Sequence, residues 1–86
     1  MSKYALMLFE TELKLGISST PNKWVNTANY LFENGLEALN AYANTPCPAS
    51  QLIEAEDDYE LKCKMGEMML NYQNEKWLNE NLYPFL

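Results

Sequence analysis

Five carboxylates, Glu54, Glu56, Asp57, Asp58 and Glu60, crowd into seven positions, the densest run of chemistry-bearing side chains in the chain. Such a run could hold a hard cation, move protons, or present negative charge to a basic surface. Hard cations take oxygen ligands from loops or facing helices of defined spacing, and helical carboxylate di-metal sites usually add histidines. The chain has no His and no Asp-x-Asp-x-Asp-Gly loop, so no metal is expected. Without His there is also no ordinary base to activate Ser, Thr or Cys. Cys47 stands between Pro46 and Pro48, ahead of a helix start that could lower a thiol pKa, but no second Cys follows at CxxC spacing. Cys63 reads as structural filler. The three glycines are isolated, so no phosphate-cradling loop exists. Neither an enzyme nor a cofactor is expected.

What is left for the carboxylates is electrostatics. They suit the first turns of a helix, where the dipole favours negative charge. Lys62 and Lys64 follow Asp58 and Glu60 by four residues, the favourable order for helical ion pairs. That makes an ordinary solvated helix start the simpler reading. The functional reading is an acidic patch that occupies the basic groove of a nucleic-acid-binding protein. The net charge of -6, with six cations against twelve acids, excludes direct binding of nucleic acid or anionic membrane. No apolar run approaches the ~20 residues of a membrane span. The apolar stretch after Lys3 is short, is broken by Glu10 and Glu12, and lacks a small-residue cleavage site, so export is not expected. Two cysteines are too few for a disulfide framework, which points to reduced thiols in the cytoplasm.

The segment 2–15 is ambiguous. Thr11, Leu13, Leu15 and Ile17 alternate like a strand, while Ala, Leu, Met, Glu and Lys favour helix. Lys14 followed by Gly16 suits a helix end, and a lone strand would leave its backbone groups unpaired, so helix is expected. Thr20-Pro21 opens a second helix, 21–43, on a stripe of Val25, Ala28, Phe32, Gly35, Leu39 and Tyr42. Pro46-Cys47-Pro48 turns the chain into a third, 48–82, with the stripe Leu52, Ala55, Tyr59, Cys63, Gly66 and Leu70. The expected fold is all-α, one antiparallel three-helix domain of 86 residues with a long C-terminal helix.

In that arrangement the third helix overhangs the second, and Tyr72, Trp77, Leu78, Leu82, Tyr83 and Phe85 lack intrachain cover. Interfaces are enriched in such aromatics, so these six are the expected partner-binding residues. The competing reading breaks the helix near Asn71–Asn74 and folds the tail back onto the first helix. The methionines Met7, Met65, Met68 and Met69 fit core packing or an adaptable binding surface.

The helical hairpin with its Pro-x-Pro turn resembles the subunits of type III secretion needles, without their Asn/Gln-rich ending, and no residue role is carried over. The expected function is that of a small acidic non-catalytic protein that binds and blocks a larger one. By analogy of type, phage and mobile-element inhibitors of host defence, anti-CRISPR proteins among them, are proteins of this kind. The alternative is a self-assembling helical structural subunit or secretion chaperone, a homo-oligomer formed through the C-terminal helix.

Overall fold

A computed structural model describes residues 2–19, 23–45 and 49–82. The element order is β1 (Lys3–Thr11), β2 (Trp24–Phe32), α1 (Gly35–Ala43), β3 (Gln51–Ala55), α2 (Asp58–Asn71) and α3 (Glu75–Asn81). The strands form one antiparallel sheet in the order β2-β1-β3. The fold is therefore mixed α/β, and the all-α three-helix expectation is overturned.

β1 is the central strand. Ala5, Met7 and Phe9 project from one face into the main core, while Tyr4, Leu6 and Leu8 project from the other. A strand covered on both sides carries apolar residues at successive positions instead of alternating. That is why Ala5–Phe9 read as helix. Its backbone groups do have partners: β2 and β3, both far away in sequence.

β2 lies where helix 21–43 was expected to begin. Its aromatic and β-branched residues, Trp24, Val25, Thr27, Tyr30 and Phe32, suit a strand. The register slips between Leu8↔Ala28 and Phe9↔Asn26, so Thr27 is an extra residue in a β-bulge. The bulge places Val25, Ala28, Tyr30 and Phe32 on one face, at spacings of three, two and two. The first spacing imitates a helix. Asn26 stabilises the irregularity by donating its side-chain amide to the Leu8 carbonyl at 2.9 Å.

A loop joins β1 to β2, and in it Gly16 takes φ +78°, the left-handed conformation. After β2, Asn34 caps α1 by accepting from the Leu36 and Glu37 amides at 2.8 and 3.2 Å. α1 covers the Tyr4 side of the sheet. Gly35 comes so close that a Cβ there would lie 2.8 Å from the Tyr4 hydroxyl. Leu6 and Ala38 are buried on this side, apart from the main core.

The third expected helix is three elements: β3, α2 and α3. β3 pairs with β1 and sends Ile53 and Ala55 into the main core. Asp57 then caps α2 through its carboxylate and the Glu60 amide at 2.8 Å. α2 lays Leu61, Met65, Met68 and its C-cap Tyr72 on the sheet. The chain turns at Gln73, and Asn74 caps α3 with its side-chain oxygen on the Trp77 amide. The expected Thr20-Pro21 cap and Pro46-Cys47-Pro48 turn lie outside the described residues.

Candidate functional site

Three of the residues expected to meet a partner, Tyr72, Leu78 and Leu82, instead close the domain's own core. Tyr72 is 3% exposed, Leu78 is buried, and Leu82 is 1% exposed. Trp77 is half-buried against that core. The Tyr72 ring is stacked on Phe9, with centroids 3.7 Å apart and planes 5° apart. Trp24 meets it edge-on, and Trp77 is tilted against it. The Tyr72 hydroxyl donates to the Ala49 carbonyl at 2.9 Å and accepts from the Gln51 side-chain amide at 3.1 Å. The premise that these residues lack intrachain cover fails, because the helix breaks after Tyr72 and α3 brings Leu78 and Leu82 into the core cluster. Tyr83 and Phe85 lie outside the described residues.

The acidic run does not form one helical row. Glu54 is in β3, Glu56 follows it, Asp57 is the α2 cap, and Asp58 and Glu60 lie in the first turn of α2. Several have local duties. Glu54 accepts from the Ser2 hydroxyl at 3.4 Å, and Glu60 pairs with Lys64 at 3.1 Å. The expected Asp58–Lys62 pair is replaced by Asp58 beside Lys3 at 3.6 Å, where Lys3 also meets Glu33 at 3.0 Å. The hydrogen bond to Glu33, then the charges of Asp58 and Glu33, raise the Lys3 ammonium pKa above its ordinary value.

The strand pairing adds acids that the sequence did not group with this run. β1 begins where β2 and β3 end, and α1 and α2 start from those strand ends. Glu33 and Glu37 therefore join Glu54–Glu60 at one end of the molecule. The positive ends of two helix dipoles favour this accumulation.

Next to this acidic end runs an apolar surface on α2. The stripe Tyr59, Cys63, Gly66 and Leu70, expected as a core seam, faces away from the sheet. Tyr59 is 79% exposed and Leu70 is 65% exposed. Cys63 is a free, exposed thiol, and a Cβ on Gly66 would meet nothing within 4 Å. Met69 is exposed beside the stripe, whereas Met65 and Met68 pack inward and Met7 is fully buried. α2 thus carries two apolar stripes on opposite sides, and the sheet takes Leu61, Met65, Met68 and Tyr72. Among the described residues, no helix is long and apolar enough to cross a membrane.

Comparison of the chain with protein-family models, with curated proteins and with solved structures finds no match.

Proposed function

We propose that this chain is a non-catalytic binding protein that acts in the cytoplasm by occupying a surface of a larger protein. The contact is the outer stripe of α2, with the acidic end of the molecule as its rim. The observation that supports this most is the exposure of Tyr59 and Leu70 on a helix whose opposite side already packs on the sheet. A helix apolar on two sides is normally buried on both. Gly66 leaves the middle of the stripe open to close approach by a partner's side chain. Carboxylates beside Tyr59 favour a partner whose groove has a basic rim, and they speed encounter more than they tighten the complex. A nucleic-acid-binding protein presents such a surface, and blocking it would make this chain an inhibitor in the manner of small acidic phage proteins.

The test compares partners captured from a lysate by the native chain and by three variants. Tyr59→Ser with Leu70→Ser should keep the fold, because exposed substitutions change stability by about 0.5 kcal/mol or less. It should lose the captured protein, while Leu36→Ser on the exposed side of α1 retains it. Glu56→Gln with Asp58→Asn should weaken capture and flatten its dependence on salt. Capture indifferent to both α2 variants would refute the reading.

A further inference from the structure

The two edges of the sheet are finished differently. β3 is five residues long, and Lys64 reaches across from α2 to donate to the Glu54 carbonyl at 2.7 Å. Short edge strands and edge lysines are common devices against unwanted pairing. β2 is nine residues long and contains no charged residue and no proline. Among the described residues, no strand pairs with its outer edge. Tyr30, 52% exposed, and Leu31 project from opposite faces there, and both are open to solvent. An edge of unpaired backbone N–H and C=O groups is satisfied by another extended strand.

We propose that β2 pairs antiparallel with β2 of a second copy, joining two sheets across a two-fold axis. Charge and register identify a second copy as the occupant. Two copies of charge -6 repel over most of their surfaces, but β2 brings uncharged residues to the contact. The bulge at Thr27 reverses which side chains face which way, so the regular segment begins at Ala28 and ends with the strand at Phe32. Its centre is Tyr30. Pairing about that centre sets Tyr30 against its own copy, Asn29 against Leu31, and Ala28 against Phe32. Each pair shares a face of the sheet, as antiparallel pairing requires. Small Ala28 meets large Phe32, and Glu33 falls opposite Thr27, so no acid opposes an acid.

The decisive experiment measures the mass of the full chain by sedimentation equilibrium over a range of concentrations, for the native chain and for Tyr30→Lys and Tyr30→Glu. The native chain should form a reversible dimer. Each variant places like charges across the two-fold axis and should dimerise roughly ten-fold more weakly. An equimolar mixture of the two should recover the dimer, because Lys then faces Glu. Amide exchange of the native chain supplies a readout that does not depend on the variants folding: β2 amides should gain protection as concentration rises. A native chain still monomeric at ~1 mM overturns the proposal. So does unchanged dimerisation of both variants, a mixture that fails to recover, or β2 exchange indifferent to concentration. Selective capture of a foreign extended peptide by a monomeric chain would assign the edge to a different occupant and overturn it as well.

Discussion

Truncating Leu82 tests whether α3 belongs to the core. Leu82 is the C-cap residue of α3, is 1% exposed, and lies in the cluster formed by Ala5, Met7, Phe9, Leu61, Tyr72 and Leu78. Leu82→Ala removes three carbons, worth roughly 2.4 kcal/mol of transfer free energy at about 0.8 kcal/mol each. The cavity left behind raises the expected loss to about 2–5 kcal/mol. Domains of this kind hold about 5–15 kcal/mol in total, so the loss is a large fraction of the whole. At about 4–8 °C per kcal/mol for a domain of this size, the melting temperature should fall by at least roughly 10 °C. Leu70→Ala is the matched control: the same side chain, on the exposed stripe of α2, expected to cost about 0.5 kcal/mol or less. Urea denaturation of both variants, with m-values unchanged from the native chain, reads the difference directly. Equal stabilities for Leu82→Ala and Leu70→Ala would refute the burial of Leu82 in the core and return this part of the tail to the role of a free surface.

Tyr72→Phe keeps the ring stacked on Phe9 but deprives the Ala49 carbonyl and the Gln51 amide of the Tyr72 hydroxyl; denaturant titration should show a loss of ~1–3 kcal/mol. Asp57→Ala removes the α2 cap and should cost ~1 kcal/mol, whereas Asp57→Asn, which keeps an accepting oxygen, should be close to neutral in the same titration. The Lys3 pKa is raised in the folded state, so the stability it contributes is fully present below the unfolded pKa of about 10.4 and is lost as pH rises through the folded value. The difference in melting temperature between the native chain and Lys3→Met should therefore be constant through neutral pH and shrink only under alkaline conditions. A difference that shrinks near pH 7 would contradict the ion-pair assignment.

Local chemistry made part of this molecule legible in the sequence. The four-residue spacing of Glu60 and Lys64 reads as a helical ion pair, and the structure makes that pair, although the helix holding it starts at Asp58 and not at residue 48. Gly16 was legible as a left-handed residue, though it lies in the β1–β2 loop and does not end a helix. These features depend on a few neighbouring residues, which any fold containing them must accommodate.

Tertiary structure decided the rest, for three physical reasons. A five-residue apolar run such as Ala5–Phe9 is a helix or a central strand according to whether both its faces are covered, and the covering elements here are α1 and α2, remote in sequence. The bulge at Thr27 gave β2 a helical spacing, and a single extra residue in a strand has no signature apart from its pairing with β1. On α2, two apolar stripes were available to the core. Periodicity detects that stripes exist but cannot rank them, so the sequence favoured Tyr59, Cys63, Gly66 and Leu70. The sheet took Leu61, Met65, Met68 and Tyr72, because the turn at Gln73–Asn74 lets Tyr72, Leu78 and Leu82 close the same core. Of the residues first assigned to a partner, Tyr72, Leu78 and Leu82 went to the interior, and of the stripe first assigned to the interior, Tyr59, Cys63, Gly66 and Leu70 were left facing outward.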